Sequence, residues 1–580
     1  MRSVLLRLLY WSLAAAAVAF VAGIWFFLPG TSAKHIVDLK HIPDLMTVGH
    51  SLQPTDPAVA PSPTFIVLRK MLPELARRAH PDDRAAMTTF YEERRGPLMW
   101  VTETGLSDKG RAVISEVRKA DDWGLQSSDF PVPQLPAGNL SPEVAAETEI
   151  KLTLTVLKYA RYARGGRIGD PSRISELLDY TPAVRPPKLV LTDLAAADAP
   201  DAYLRSLHPK HEQFEKLRQL LLKLRGSNGS KEEGKLPADD KNKWTVSVEN
   251  LQEAGPHDLK GQPKPESASA EIERILINME RWRWLPEQLG KLYVWDNVPE
   301  ALTRVVKDGK IIHSDRIIVG QPTWPTPSFS ADMKMVVFHP TWGVPEGIKV
   351  KELAPILRKS SGGGLFGLFG GGYSAESVLE AYQLRAYING HQVNANSIDW
   401  NSVDIRSVSF QQPPGPKNPL GDVKFMFPNK HDVYMHDTPE RDLFARSFRA
   451  LSHGCMRVEH PRRLVAVLLA EDKGWSETKV GSLFNGDSQE VQLSTHIPVH
   501  VTYFTAMVDY EGKLRTFGDL YGLDDRVGAA LFGRKVRFQT PQYDDGTVAS
   551  GQQDMRGQVR QQQSSGPSTL AQVISDIFSP

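Results

Sequence analysis

The residues best suited to chemistry surround a single cysteine, Cys455, in a chain of 580 residues. Two histidines lie near it along the chain, His436 before it and His453 almost beside it. A thiol becomes a strong nucleophile when it loses its proton, and a neighbouring imidazole can take that proton. The pattern predicts covalent catalysis by Cys455 with His436 as general base. The alternative from spacing alone is a buried structural thiol.

The immediate neighbours of Cys455 favour the catalytic interpretation. Gly454 allows a turn in which consecutive backbone N–H groups point to one place, as an oxyanion hole requires, and His453 could position substrate or contribute to that hole. Arg457 and a helix beginning at Pro461 are both expected to lower the pKa of the thiol, because positive charge and a helix N-terminus stabilise a thiolate.

The sequence leaves the partner of His436 open, with Asp437, Thr438 and Ser452 as candidates to orient its ring. A metal site is a further alternative, since several histidines cluster in this region. Zinc sites need three or four ligands at suitable spacing, and no HExxH-like pair is present. We therefore expect neither a metal nor a cofactor. The clustered histidines are His431, His436, His453 and His460.

Short β-branched and aromatic segments predict the strands that must carry these residues. Two of them, 424–427 and 433–436, flank a polar turn and predict a hairpin that ends at His436. A short helix is predicted over 439–445, and a longer one over 461–470 with Gly474 as its stop. Earlier strands are predicted at 292–295, 301–306, 311–319 and 333–338.

Upstream of the strands, apolar residues at helical spacing predict an all-helical region. Its helices are expected over 65–79, 111–119, 142–163 and 209–225, with Pro142 as the first residue of the third. The 69 lysine and arginine residues nearly balance the 68 acidic ones, for a net charge of +1. That balance argues against a nucleic-acid partner.

The amino terminus predicts export. Arg2 and Arg7 precede an uncharged apolar segment from Leu8 to Leu28 that is long enough to span a bilayer. The positive-inside rule then places the body of the protein outside the cytoplasm. We expect a periplasmic protein anchored in the inner membrane by this helix, with a cleaved signal peptide as the alternative.

Several sequence segments resemble one enzyme family, the YkuD-type L,D-transpeptidases, in their large Gram-negative periplasmic form. The central one is His436 followed by Ser452-His453-Gly454-Cys455, an apolar residue and Arg457. The others are NMERWRWLP at 278–286, PTWGVP at 340–345, PPGPKNPLGDVKFMFPN at 413–429, and RYARGGRIGDP at 161–171 in the helical region.

The resemblance implies a transpeptidase that acts on peptidoglycan stem peptides. The Cys455 thiolate would attack the diamino-acid carbonyl at stem position 3, release D-alanine, and pass the acyl group to a neighbouring stem amine, giving a 3-3 cross-link. It implies His436 as base, a site that includes His453 and Arg457, and an oxyanion hole formed by backbone N–H groups at Gly454 and Cys455. Carbapenems are implied as covalent inhibitors.

Two further residues are assigned to substrate binding. Tyr434, two residues before His436 on the same strand face, is expected to form a wall of the cleft, and Ser452 belongs to the same motif. The alternatives to transpeptidation are a thiol hydrolase of the L,D-carboxypeptidase type and a catalytically silent wall-binding scaffold. The acceptor also stays open between a second stem, water, a D-amino acid and a protein amine.

The expected fold class is α+β multidomain, with a β-rich catalytic domain that carries a capping insertion and follows a helical scaffold domain and a transmembrane helix. Large relatives usually have a peptidoglycan-binding module between the two domains, and here a polar linker stands in its place. The glycine–phenylalanine segment at 360–372 is expected to form a lid. The predicted boundaries are 1–30 (anchor), 31–64 (proline-rich tether), 65–225 (scaffold), 226–270 (linker), 271–525 (catalytic), about 346–410 (cap) and 534–580 (mostly disordered tail).

Overall fold

The computed structural model describes residues 62–136, 138–228, 268–360 and 374–534. The predicted anchor, the segment 361–372, the tail from 535, and most of the predicted tether and linker lie outside the described residues. Within the described ranges, no helix is long and apolar enough to cross a membrane.

The first described domain is helical. Its longest helix starts at Pro142, as predicted, because Ser141 caps it by accepting a hydrogen bond from the Val144 N–H. The helices between Pro63 and Ser206 pack apolar faces around it in one core. Three of them were not predicted: α2, α5 and α6. The bounds are α1 (Pro63–Leu75), α2 (Pro81–Glu93), α3 (Asp108–Val117), α4 (Pro142–Gly165), α5 (Pro187–Ala196), α6 (Pro200–Ser206) and α7 (Glu212–Asn228), with a small hairpin of β1 (Val101–Thr102) and β2 (Gly105–Leu106).

A further helix, α8 (Ala268–Trp284), joins the helical domain to the β-rich one. It packs against α7 and against the first strand of the β domain, so that Met279, Trp282 and Phe214 share one core with Trp295. Two helices thus extend into the ends of the predicted linker, where its apolar periodicity had not been recognised.

The β domain is a closed barrel. Its strands follow the order β13-β5-β14-β12-β11-β6-β15-β3-β4, and pairing of β4 with β5 closes the ring. Apolar side chains that alternate along these strands fill the interior. The bounds are β3 (Leu292–Asn297), β4 (Leu302–Lys307), β5 (Lys310–Gly320), β6 (Phe329–Phe338), β11 (Val423–Met426), β12 (Met435–His436), β13 (Ala450–Ser452), β14 (Met456–Val458) and β15 (Gln489–Thr502).

A separate small layer is inserted between β6 and β11. It has its own four-stranded sheet in the order β7-β10-β8-β9 and its own apolar core, and we call it the cap. Its first helical segment, α9 (Glu346–Ile348), continues through a π-helical turn (Lys349–Leu353) into α10 (Ala354–Ser360). The other elements are β7 (Trp342–Gly343), α11 (Ala375–Ala381), β8 (Arg385–Ile388), β9 (His391–Val393) and β10 (Ser409–Gln412).

Three helices and a hairpin complete the described chain. The first, α12 (Pro461–Lys473), is followed by Gly474, which adopts the left-handed conformation that stops a helix (φ 65°). The short helix predicted over 439–445 is a 3₁₀ turn, Arg441–Ala445. The bounds are α12 (Pro461–Lys473), α13 (Glu477–Ser482), α14 (Leu523–Leu531), β16 (Ala506–Val508) and β17 (Leu514–Thr516).

Candidate active site

Strand pairing brings the predicted nucleophile and base to one place. β12 pairs antiparallel with β11, as the hairpin pattern predicted, and parallel with β14, with His436 opposite Arg457. The Met456 N–H donates to the Tyr434 carbonyl at 3.0 Å. Cys455, directly before β14, therefore lies beside Tyr434, two residues from His436 along the neighbouring strand.

These residues open onto one cleft of about 1060 Å³, open solvent included. Cys455, His436 and Tyr434 line it from the barrel, together with His453 and Arg457. All of the predicted site side chains are thus gathered in one cleft, Ser452 included.

The cap supplies the opposite wall. Ile348, Tyr382 and Leu384 face the same cleft, as does Trp342 at the start of the cap. The cleft therefore has a barrel side that carries the titratable groups and a cap side that is mostly apolar. Such an arrangement suits an extended, partly apolar ligand held against a reactive thiol.

The environment of Cys455 differs from the prediction. Strand β14 separates it from α12, so the helix N-terminus does not act on the thiol. Burial raises the pKa of the Cys455 thiol above its ordinary value, while hydrogen bonding from Tyr434 and the charges of Lys424 and Arg457 act to lower it. The thiol donates to the Asp432 carbonyl at 3.8 Å. The raised pKa favours the protonated thiol before attack.

His436 is buried and neutral. Burial, followed by the nearby positive charge of Arg457, lowers its pKa to about 3. Its Nδ1 is hydrogen-bonded to the backbone carbonyl of Asp437, which can only accept, and the backbone of Pro419 also contacts the ring. We assign the proton of the neutral ring to Nδ1, which leaves Nε2 as the acceptor. The group that orients His436 is therefore a main-chain oxygen, and none of the three candidate side chains has that role.

The Asp437 side chain holds the surrounding backbone. Its carboxylate accepts hydrogen bonds from the Asp422 N–H at 2.8 Å and the Thr438 N–H at 2.6 Å, and it pairs with Arg441. Burial raises the pKa of the Asp437 carboxyl, and these partners act to lower it. Asp437 thus fixes the chain on both sides of the base.

Ser452 shapes the turn that carries the nucleophile. Its hydroxyl donates to the Cys455 carbonyl at 2.6 Å and accepts from the Gly454 N–H at 3.2 Å. Gly454 has φ 107°, a conformation that favours glycine. Since Ser452 occupies the Gly454 N–H, the Cys455 N–H is the group left open here for an oxyanion; it makes no hydrogen bond within the described residues.

Thr326 ties this turn to the end of β5. Its hydroxyl accepts from the Gly320 N–H at 2.8 Å and donates to the Gly454 carbonyl at 2.7 Å, and its side chain is fully buried. Tyr521 donates to the Gly320 carbonyl at 2.6 Å. A Cβ at Gly320 would lie 2.1 Å from the Trp324 carbonyl, so this crossing requires glycine. The family resemblance extends to Gly320 and Thr326, but nothing in the sequence indicated their hydrogen bonds or the role of Tyr521.

His453 contacts the cap. Its Nε2 lies 2.7 Å from Glu352 Oε1, in the π-helical turn, and its ring lies 5.1 Å from that of Trp324. Lys351, next to Glu352, places its ammonium 4.1 Å from the Trp324 ring centroid. The nucleophile turn is therefore joined to the cap directly through Glu352, and indirectly through Trp324, which contacts both His453 and Lys351.

Two cationic side chains, Arg457 and Lys424, lie close to the cleft residues Tyr434 and His436. Arg457 pairs with Glu440 at 2.5 Å and is largely buried. Lys424 places its ammonium 3.7 Å from the Tyr434 ring centroid, and burial lowers the pKa of this lysine. The Tyr434 ring lies 5.7 Å from His436. The positive charges favour an anionic sulfur or an anionic substrate group.

The helical domain also reaches this region. Asp179 pairs with Lys430 at 2.7 Å and with His431 at 2.9 Å, in the loop between β11 and β12. The same loop provides the Asp432 carbonyl that faces Cys455. Asp179 thus connects the helical domain to the loop beside the nucleophile.

Comparison with known proteins identifies both domains. Residues 291–482 match the family model of the L,D-transpeptidase catalytic domain, and residues 85–221 match that of a scaffold domain. Residues 291–482 therefore form an L,D-transpeptidase catalytic domain of the YkuD family. The match to the L,D-transpeptidase domain includes the cleft, the cap and every predicted site residue.

Individual proteins also resemble parts of this chain. A Haemophilus influenzae protein named "Putative L,D-transpeptidase" is 28% identical over 279 residues, which are 46% of this chain and 51% of the relative. The chain thus spans about half the length of that curated relative. Among solved structures, an L,D-transpeptidase from Mycobacterium smegmatis is 11% identical, with 37% of this chain and 58% of that one covered (TM-score 0.16). L,D-transpeptidase 3 from Mycobacterium tuberculosis, in complex with a faropenem-derived adduct, is 13% identical, with 37% and 60% covered (TM-score 0.17).

Proposed function

We propose that this protein is a peptidoglycan L,D-transpeptidase that forms 3-3 cross-links. The observation that carries the proposal is the cleft in which Cys455 and His436 lie together, within a domain of this family. The substrate would be the peptide stem of one peptidoglycan strand, with the amine of a neighbouring stem as acceptor.

In the first half-reaction, the Cys455 thiol gives its proton to His436 Nε2 as Sγ bonds to the carbonyl carbon of stem residue 3. The resulting oxyanion is held by the Cys455 N–H. As the C–N bond to D-alanine breaks, the imidazolium returns its proton to the leaving amine. A thioester on Cys455 and free D-alanine result.

In the second half-reaction, the acceptor amine attacks the thioester carbonyl. His436 takes one proton from the attacking nitrogen and gives a proton to the departing sulfur, which restores the thiol and completes the new amide bond. The raised pKa of Cys455 and the low pKa of His436 support proton transfer during attack rather than a preformed ion pair.

The test is incubation with purified disaccharide-tetrapeptide, followed by mass analysis of the products. We expect cross-linked dimers and free D-alanine from the wild type, and neither from Cys455→Ser. Tripeptide alone would replace the transferase by the L,D-carboxypeptidase alternative, and no product from folded protein would favour a silent scaffold. Addition of a D-amino acid or a protein amine to the assay tests the other acceptors.

Inhibition and location extend the proposal. A carbapenem should acylate Cys455, because its strained carbonyl meets the same nucleophile, and intact mass should increase by one inhibitor on the wild type only. The proposed location is the periplasm, with the segment 1–30 in the inner membrane; the support is the apolar sequence from Leu8 to Leu28. Fractionation of cells that express the full chain, with and without carbonate extraction, tests both statements.

A further inference from the structure

One cationic side chain of the cleft has no acid beside it. Lys417 lines the cleft from the segment between β10 and β11, and it is exposed. Among the residues that the structure describes, no carboxylate lies within 4.0 Å of its ammonium. Two other basic side chains of the lining do have such partners: Arg457 pairs with Glu440 at 2.5 Å, and His453 with Glu352 at 2.7 Å. The positive charge of Lys417 is therefore available to a ligand.

The backbone around Lys417 is held in place on both sides. The buried Gln412 side chain donates a hydrogen bond to the Lys417 carbonyl at 2.8 Å. Asn418, which is also buried, donates from its side chain to the Pro340 carbonyl at 2.9 Å and accepts from the Leu420 N–H at 2.9 Å. A fixed loop backbone that presents an exposed side chain to a cleft is typical of a binding residue.

The same segment reaches the proposed base. The Pro419 backbone contacts the His436 ring, and Pro419 also lines the cleft. Two residues of chain span at most about 7 Å, so the Lys417 backbone lies on the His436 side of the cleft. Lys417 can therefore meet the part of a substrate that lies next to the base.

The proposed mechanism brings a carboxylate to that side. His436 must come within about 3 Å of the D-alanine nitrogen to give it a proton. In D-alanine the carboxylate carbon is about 2.5 Å from that nitrogen, so the terminal carboxylate of the donor stem lies within about 6 Å of the imidazole. An anion that leaves water for a cleft with a mostly apolar wall needs a positive partner.

We propose that Lys417 binds the terminal carboxylate of the donor stem and sets a preference for donors that carry one. This inference rests on the proposed function. The other cations of the region already have partners, since Arg457 pairs with Glu440 and the Lys424 ammonium lies 3.7 Å from the Tyr434 ring centroid. A lysine ammonium acts as a point charge on a flexible chain, so it can follow the carboxylate while the C–N bond breaks.

Other carboxylates of the stem peptide are the competing source of negative charge. The experiment therefore changes the terminal carboxylate alone. It compares two disaccharide-tetrapeptide donors, one that ends in D-alanine and one that ends in D-alaninamide. Release of the terminal residue, followed by mass analysis, gives kcat/KM for each donor, and this release is common to transfer and hydrolysis.

We expect the preference for carboxylate over amide to be about tenfold smaller in Lys417→Met than in the wild type. That value is at the low end for a hydrogen bond between charged groups, because water competes for an exposed lysine. Comparison of the two ratios cancels any intrinsic difference between the leaving groups. The change should appear in KM more than in kcat, since the carboxylate is bound before and during the reaction. Lys417→Arg should keep most of the preference.

Lys334→Met is the matched control, because it removes the same charge from an exposed position on β6 that does not line the cleft. It should show the wild-type preference. The same preference in the wild type and in Lys417→Met would overturn the proposal. Equal slowing of both donors by Lys417→Met would also overturn it, and would indicate another stem carboxylate or a structural role. No release from either donor by folded wild type would instead overturn the proposed function, and this inference with it.

Discussion

Thr326 offers the sharpest test of how the nucleophile turn is held. Valine has nearly the same shape as threonine and lacks the hydroxyl that joins Gly320 to Gly454. In Thr326→Val, the Gly320 N–H and the Gly454 carbonyl each lose a partner in a buried site. One unsatisfied buried group costs about 1–3 kcal/mol, so the two together predict a loss of about 2–6 kcal/mol in the free energy of unfolding.

The matched control is Thr326→Ser, which keeps both hydrogen bonds and removes one buried methyl group. Loss of that methyl group should lower the free energy of unfolding by about 1 kcal/mol, plus a small amount for the cavity it leaves. Urea unfolding under the same conditions gives the free energy of unfolding of each variant. The two values can be compared when the m-value, the slope of that free energy against urea concentration, is the same for both. Hydrogen exchange at the Gly320 amide reports the broken bond directly and should accelerate in valine only.

The same substitution should slow acylation of Cys455 by a carbapenem. A displacement of about 1 Å in a reacting group can cost roughly 100-fold in rate, so a loss between about 10-fold and 100-fold is expected for valine and little for serine. Equal stability of the valine and serine variants, or an unchanged Gly320 exchange rate, would refute the role given to this hydroxyl.

Three further variants test the surroundings of the cleft. Glu352→Gln replaces the charged partner of His453 by a neutral one and should slow carbapenem acylation of Cys455 by about tenfold. If the contact were purely structural, only the free energy of unfolding would change. Lys424→Met removes a positive charge that lowers the Cys455 pKa, so the pH midpoint of iodoacetamide alkylation should move to higher pH. Lys424→Arg should restore the original midpoint. An unchanged midpoint in Lys424→Met would show that the lysine does not lower the thiol pKa. Asp179→Asn should lower the free energy of unfolding by about 1 kcal/mol or less at pH 7. Burial acts to raise the Asp179 pKa, but pairing with Lys430 and His431 lowers it overall, so the stabilisation is lost as pH falls. If the wild type and Asp179→Asn still differed in thermal midpoint in acid, the ion pairing would be contradicted.

Local signals in the sequence were sufficient to identify the candidate catalytic residues and the elements that carry them. Two β-branched segments around a polar turn predicted the hairpin that ends at His436, and Pro461 with Gly474 marked the helix that follows. Family resemblance then gave these positions their expected roles. The candidate catalytic residues lie close together along the chain, which is why a single sequence could single them out.

Contacts between distant segments were beyond the same reasoning. Met456–Val458 was not recognised as a strand, because three residues (Met, Arg, Val) are too few to show a periodicity, and its pairing with β5 and β12 depends on the arrangement of the whole barrel. The expected helix effect on the thiol was wrong for that reason. Glu352 and Thr326 reach the nucleophile turn from more than a hundred residues away, and nothing in their local sequence indicates it.

The central claim is that Cys455 attacks the stem peptide and carries the acyl group. The most direct measurement is acid quenching of the enzyme during turnover of a disaccharide-tetrapeptide, followed by intact-mass and peptide mass analysis. The account predicts a disaccharide-tripeptide joined as a thioester to the peptide that contains Cys455, at lower occupancy when acceptor is added. Cross-linked product from Cys455→Ser, or an acyl group on any other residue, would contradict it.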